Sequence, residues 1–133
     1  EGLAFASLER IMRERFGAEF IAPNAAMTRN RQTLELDVLG YVNRDVNNAV
    51  IAEVKAKLKD EHVGDLLDKL AVFPDFFPEH RQKHLFGILV GANVPVSVRK
   101  LALKHGLYVG RMADHTFQLL VPDGFEGRDF QAA

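Results

Sequence analysis

Hydrophobic and polar residues along this chain follow two periods, one typical of helices and one typical of strands. Apolar residues recur at helical spacing over residues 3–16, 63–70 and 96–105, which predicts three helices. The remaining apolar patterns are extended and predict strands: residues 19–27, two runs either side of a polar turn within residues 34–59, residues 85–90, residues 107–109 and residues 116–121. The order α-β-β-β-α-β-α-β-β predicts an α/β fold with a mixed β-sheet flanked by helices, in a single domain over residues 1–133.

Proline and glycine set several expected boundaries. Gly17 follows the first helical stripe and predicts its end. Pro23 predicts an edge or bulged position for the first strand. Pro74 and Pro78 predict the end of the second helix, with two phenylalanines, Phe76 and Phe77, between them. These aromatic rings could stack on nucleobases, but an aromatic pair beside a helix end is typical of a core.

Charged residues interrupt the hairpin within residues 34–59, whose apolar runs otherwise suit a buried sheet. Asp37 lies in the first run, and Glu53 and Lys55 lie in the second. Burial of charge is costly unless the charge is paired, so these residues call for an explanation. One explanation is a cross-strand ion-pair cluster on an exposed face, and the other is a functional site.

The register of this hairpin can be predicted from its turn. If the turn is centred near Asp45, residues equally distant from it are partners, and directly paired residues point to the same face. The charged residues then share one face, and the intervening apolar residues share the face that packs into the core. The expected charged set is Glu35, Asp37, Glu53 and Lys55, and the expected apolar set is Leu36, Val38, Val54 and Ala56. A slip of one residue would separate Asp37 from Glu53.

An aspartate on one strand followed by Glu-x-Lys on the next resembles the PD-(D/E)xK nuclease superfamily. The motif is Leu36-Asp37 followed by Glu53-Val54-Lys55, with leucine at the place of the proline in the family's name. The order of elements is also similar, and the chain looks most similar to uncharacterised bacterial nuclease-like domains. The resemblance implies a restriction-endonuclease-like fold and an Mg²⁺- or Mn²⁺-dependent endodeoxyribonuclease that acts on DNA.

The resemblance also implies roles for individual residues. Asp37, Glu53 and the backbone carbonyl of Val54 would hold the metal, which prefers oxygen ligands. Lys55 would orient the attacking water and balance negative charge. Members of the superfamily often supply a further acidic residue from the first helix, and Glu9 is the candidate here. A solvated helix glutamate is the alternative interpretation of Glu9.

Basic residues near the hairpin are candidates for nucleic-acid contacts. Lys57 and Lys59 continue the alternation beyond Lys55, and Arg29 and Arg31 lie in a polar turn. Ordinary solvation is the alternative for all four. The net charge of −1 and the pI near 6.6 lack the basic footprint of most nucleic-acid-binding domains, so binding would depend on a local patch.

Composition excludes several other classes of protein. Cysteine is absent, which excludes disulfides and thiolate zinc sites. The longest apolar stretch, residues 85–98, is too short to cross a bilayer and contains Pro95, so we expect a cytoplasmic protein with no membrane segment. A homodimer is compatible with the sequence. The chain begins with Glu1, which is compatible with a fragment whose partners include other domains of a longer protein.

One further constellation suggests a zinc site. His80 and His84 have the spacing of helical zinc ligands, but no third ligand is evident.

Two classes of function remain: a metal-dependent nuclease, and a noncatalytic nuclease-like module that binds nucleic acid or mediates assembly of a larger protein.

Overall fold

A computed structural model describes residues 2–132 of the chain, with side chains from residue 5 onward. The predicted order of helices and strands is confirmed, with one short 3₁₀ helix added. The elements are α1 (Gly2–Phe16), β1 (Phe20–Arg29), β2 (Gln32–Tyr41), β3 (Asn48–Lys57), α2 (Asp60–Phe76), a 3₁₀ helix (Pro78–His80), β4 (His84–Asn93), α3 (Val96–Lys104), β5 (Tyr108–Ala113) and β6 (Thr116–Leu119).

The strands form one six-stranded mixed sheet in the order β1-β2-β3-β4-β5-β6. Hairpins join β1 to β2, β2 to β3 and β5 to β6, so these pairs are antiparallel. Helices α2 and α3 connect β3 to β4 and β4 to β5, and both of these pairs are parallel because a helical crossover returns the chain to the same edge. The predicted mixed sheet is confirmed.

Helices cover both faces of the sheet. Helices α2 and α3 pack on one face, where Leu66, Leu70 and Phe73 join a buried cluster. Helix α1 packs on the other face through Leu8 and Met12. The central strands are therefore apolar on both sides, as expected for parallel strands between helical layers. None of the helices described for residues 2–132 combines the length and apolar composition that a membrane span needs.

The first hairpin follows from local backbone chemistry. Gly17 ends α1 with a φ of 72°, a left-handed conformation that glycine adopts without steric penalty. Strand β1 is an edge strand, as its proline predicted. Asn24 has a φ of 54° and interrupts the ladder, because pairing passes from Pro23–Val38 directly to Ala25–Leu36.

The end of α2 differs from the prediction. The helix continues through Pro74 to Phe76, although proline removes one backbone hydrogen bond from a helix interior. Burial of the last turn compensates: Phe73 is 0% exposed, and Phe76 and Phe77 are 8% and 7% exposed. Phe76 and Phe77 therefore belong to the core, and neither ring is presented for stacking on bases.

The tail after β6 is irregular, as expected, and it returns to the start of β4. Phe130 N–H donates to the Leu85 carbonyl at 2.8 Å. The Asp129 carboxylate accepts from Leu85 N–H at 2.9 Å and contacts His84 Nδ1 at 2.7 Å. Burial alone would raise the pKa of Asp129, but the hydrogen bonds from Leu85, His84 and Gln131 together lower it.

Candidate functional site

The register predicted for the charged hairpin is confirmed where β2 and β3 pair. Val38 pairs with Ala52 and Tyr41 pairs with Ala49, as a turn centred near Asp45 requires. The ladder between the two strands ends at Val38–Ala52, although β3 continues to Lys57. Asp37 and Glu53 are the residues immediately beyond this last pair, so they mark the point where the strands separate.

Side chains replace the backbone ladder at this separation. Asp37 N–H donates to Glu53 Oε2 at 3.2 Å, and Val54 N–H donates to Asp37 Oδ2 at 2.7 Å. Each carboxylate therefore binds the backbone of the opposite strand, and we call this arrangement the Asp37–Glu53 clamp. The backbone N–H groups of Asp37 and Val54, which have no ladder partner where the strands separate, therefore still have hydrogen-bond acceptors. Buried N–H groups require such acceptors.

The expected division of the hairpin into one charged face and one apolar face holds for β3, where Glu53 and Lys55 line one cavity and Val54 packs on the other face, but it is wrong for β2. Leu36 packs with the cluster under α2, whereas Val38 packs with the cluster under α1. Strict alternation would put both residues on one side of the sheet. The alternation shifts beside Asp37, at the ladder interruption opposite Asn24, so the period of β2 alone misplaces Leu36 relative to Val38.

Because of this shift, the side chains of Asp37 and Glu53 lie on different sides of the sheet. Asp37 lines a cavity of about 490 Å³ together with Leu8 and Val54, on the α1 side. Glu53 lines a cavity of about 290 Å³ together with Lys55, on the α2 side. The two carboxylates still interact, because the charge of Asp37 contributes to raising the pKa of Glu53.

Glu53 is an unusually buried carboxylate, with 4% of the residue exposed. Burial is the main cause of its raised pKa, and the Asp37 charge acts in the same direction. A hydrogen bond from Lys69 opposes both effects. The Lys69 ammonium lies 3.1 Å from Glu53 Oε1.

Lys69 is the site residue that the sequence-based prediction missed. It lies on α2, and its Nζ also donates to the Glu35 backbone carbonyl at 2.7 Å, which ties the helix to β2. On the helical wheel Lys69 lies beside Leu66 and Leu70, so its stem follows the buried face. That position was visible in the sequence, but its contact with Glu53 depends on how α2 docks.

Of the remaining basic candidates, the three lysines lie along this end of β3 and the two arginines lie at the β1–β2 turn. Lys55 is exposed and lines the same cavity as Glu53, and its side chain forms no ion pair or hydrogen bond within residues 5–132. Lys57 is exposed at the end of β3, and Lys59 is exposed immediately before α2. Arg31 is exposed in the β1–β2 turn, whereas Arg29 Nε donates to the Phe76 carbonyl at 3.0 Å. Arg29 therefore has a structural contact already.

Glu9 has a different environment from the two clamp carboxylates. It pairs with Arg13 one turn along α1, at 3.1 Å, and half of the Arg13 side chain is exposed. Glu9 is not among the residues that line the cavity of Asp37, although Phe5 and Leu8 of the same helix are. The structure thus gives Glu9 a local ion pair and does not bring it into the clamp.

The two histidines with zinc-like spacing have separate environments. His80 is 6% exposed and packs against the rings of Tyr41, Phe73 and Phe77. His84 is exposed and contacts Asp129. Within the part of the chain that the structure describes, no three His, Cys, Asp or Glu side chains are grouped to hold a metal.

The donor set of the clamp fits a hard divalent cation. Two carboxylates and the Val54 carbonyl offer only oxygen atoms, which Mg²⁺ prefers, and one of the carboxylates, that of Asp37, accepts from Val54 N–H. With so few protein ligands, water or substrate oxygens would complete an octahedral shell, as Mg²⁺ usually allows.

Comparisons with known proteins found similarity to solved structures only. No family model matches the chain, and no curated protein matches it. It is similar to the crystal structure of a repair endonuclease from Pyrococcus abyssi, with a TM-score of 0.49 and 23% identity over 84% of this chain and 47% of that one. It is also similar to EndoMS in the EndoMS-dsDNA2 complex, with a TM-score of 0.47 and 19% identity over 84% of this chain and 46% of that one.

The apo form of EndoMS gives a TM-score of 0.49 and 19% identity, over 83% of this chain and 46% of that one. The chain thus spans about half the length of these structures.

Proposed function

We propose that this domain is a metal-dependent nuclease that hydrolyses DNA phosphodiester bonds. The observation that carries the proposal is the Asp37–Glu53 clamp, in which carboxylates of neighbouring strands bind each other's backbone where the ladder ends. Two lysines, Lys55 and Lys69, line the cavity beside Glu53. Carboxylates for a cation and ammonium groups for phosphoryl oxygens are the charges that this reaction needs.

The residues of the proposed site have different roles, which follow from their charge and position. Asp37, Glu53 and the Val54 carbonyl would hold Mg²⁺ or Mn²⁺. When bound, the cation would stabilise the negative charge that develops on the phosphoryl oxygens. Lys55 is exposed, and nothing within residues 5–132 pairs with it, so its ammonium can donate to an attacking water and to a phosphoryl oxygen. Lys57 and Lys59 would contact the DNA backbone beyond the scissile bond, where phosphate contacts hold the duplex in position.

A noncatalytic nuclease-like module is the second candidate, and one observation favours it. The Lys69 ammonium already pairs with Glu53, which is 4% exposed, so this buried carboxylate has a counter-ion without a bound metal. A module of this kind would bind nucleic acid or mediate assembly of a larger protein without hydrolysis. The clamp would then serve only to stabilise the strand junction.

Cleavage assays distinguish the two candidates. Supercoiled plasmid and single-stranded DNA are incubated with the protein and Mg²⁺ or Mn²⁺, with EDTA as a control. The nuclease proposal expects nicking that Asp37→Asn and Lys55→Ala both abolish. Lys104→Ala is the matched control, because Lys104 is an exposed lysine at the end of α3. Cleavage that survives Lys55→Ala indicates a contaminant, and DNA binding without cleavage favours the noncatalytic module.

A further inference from the structure

Lys69 links three parts of the junction through one ammonium group. Its Nζ lies 3.1 Å from Glu53 Oε1 and donates to the Glu35 carbonyl at 2.7 Å, while its backbone belongs to α2. The side chain of Glu53 is 6% exposed and that of Lys69 is 29% exposed, so water screens this ion pair less than a surface pair. Glu53 is therefore held in place by a cation that the protein itself supplies.

The same carboxylate is a proposed ligand of the metal. A Glu53 oxygen that accepts from an ammonium group has fewer lone pairs to offer to a second cation, and two positive charges beside one carboxylate repel each other. Glu53 Oε2 is also engaged, because it accepts from Asp37 N–H at 3.2 Å. A divalent cation that binds Glu53 must therefore replace at least one of these contacts.

We propose that Lys69 holds Glu53 in the metal-free protein and competes with Mg²⁺ or Mn²⁺ for this carboxylate. This inference rests on the proposed metal site. The competition makes Lys69 a positioning residue: it holds Glu53 beside Asp37 in the absence of metal and is released toward the cavity when metal binds. Because Lys69 also anchors to Glu35, its release loosens one contact between α2 and β2.

The test measures binding of the metal rather than activity. Thermal unfolding is followed over a range of Mn²⁺ concentrations for the wild type, Lys69→Met, Lys69→Arg and Lys104→Met. Lys69→Met should bind Mn²⁺ on the order of tenfold more tightly than the wild type, a change equivalent to about 1.4 kcal/mol. Lys69→Arg, which keeps the positive charge, and Lys104→Met should both retain an affinity close to that of the wild type.

A Lys69→Met affinity that equals or falls below that of the wild type overturns the proposal, and so does absence of any Mn²⁺ effect in all four proteins. If Lys69→Met fails to fold, NMR of the lysine ammonium groups in the wild type decides. Addition of Mg²⁺ should then accelerate hydrogen exchange at the Lys69 ammonium while leaving that of Lys104 unchanged, and an unchanged Lys69 signal overturns the proposal.

The outcomes separate this inference from the proposed function. Metal binding that Lys69→Met strengthens, in a protein that cleaves no DNA, supports the competition and rejects the nuclease. Metal-dependent cleavage with equal affinities for the wild type and Lys69→Met supports the nuclease and rejects the competition.

Discussion

Asp37 and Glu53 each bind the backbone of the opposite strand. Asp37 Oδ2 accepts a hydrogen bond from Val54 N–H at 2.7 Å, and Glu53 Oε2 accepts one from Asp37 N–H at 3.2 Å. The contacts begin where the β2–β3 ladder ends. They give the two residues a structural role that any test of catalysis has to separate from a chemical one. Isosteric substitutions make this separation possible, because an amide oxygen still accepts a hydrogen bond.

Two substitutions of Asp37 should therefore differ in stability but agree in function. Asp37→Ala leaves Val54 N–H without its partner and should lower the free energy of unfolding by about 1–3 kcal/mol, measured by urea denaturation. Asp37→Asn keeps an acceptor in place and should stay closer to the wild type. Both should lose Mn²⁺-dependent stabilisation, since the amide lacks the charge that holds a cation. Full Mn²⁺ stabilisation in Asp37→Asn would remove this residue from the metal site.

Lys55→Ala should lose DNA cleavage but retain both stability and metal binding, unlike Asp37→Ala. Lys55 is exposed and makes no described contact to another side chain, so its removal should change the free energy of unfolding by less than about 0.5 kcal/mol. DNA cleavage should nevertheless fall to the background of the EDTA control, while Mn²⁺ binding is retained or strengthened by the loss of a nearby positive charge. Glu9→Gln is the comparison with a smaller expected effect, because Glu9 pairs with Arg13 on α1. A larger loss of cleavage in Glu9→Gln than in Lys55→Ala would contradict these assignments.

His80 should make stability depend on pH near neutrality. Burial lowers the pKa of His80, and the charge of Lys83 lowers it further, against a smaller opposing effect of Glu79. The unfolded chain therefore takes up a proton near pH 6.5 that the folded protein resists, so stability is complete above about pH 6.5 and declines as the pH falls. His80→Phe keeps a flat ring among the aromatic neighbours and should flatten the slope between pH 7 and pH 5. The full slope for one group is about 1.4 kcal/mol per pH unit.

Urea denaturation of both proteins across that pH range gives the comparison, with His115→Phe as a control at an exposed histidine between β5 and β6. Identical slopes for wild type and His80→Phe would show that His80 takes up its proton equally well in the folded state.

Asp129 should stabilise the fold near neutrality and lose this contribution in acid. Hydrogen bonds lower the pKa of Asp129 in the folded protein, so its contribution to stability is complete above its ordinary pKa of about 3.8. The contribution is lost as the pH falls from that value through the lower pKa of the folded state. Asp129→Asn should cost about 1–2 kcal/mol at pH 6, because a charged acceptor of the Leu85 N–H becomes neutral. The difference between the two proteins should shrink toward pH 3, and a difference that grows in acid would reject this sign.

Much of the fold was predictable because it depends on local chemistry. The helical stripes, the Gly17 stop and the hairpin centred near Asp45 all appear where the pattern of residues puts them. Each of these features depends on neighbours in the sequence: side chains on one face of a helix, a left-handed glycine, or a turn that sets the register of its own two strands. For the same reason, sequence alone was sufficient to select Asp37, Glu53 and Lys55 as an unusual set.

Only the tertiary structure decided how these charges are arranged. The faces of Leu36 and Val38 depend on a shift of alternation beside Asp37, opposite Asn24 of the neighbouring strand. Helix α2 continues past Pro74 because distant core residues bury its last turn. Lys69 reaches Glu53 across 16 residues of sequence only because α2 docks on that face of the sheet. Contacts of this kind depend on burial and on the relative position of whole elements, and the period of a single strand or helix carries no information about either.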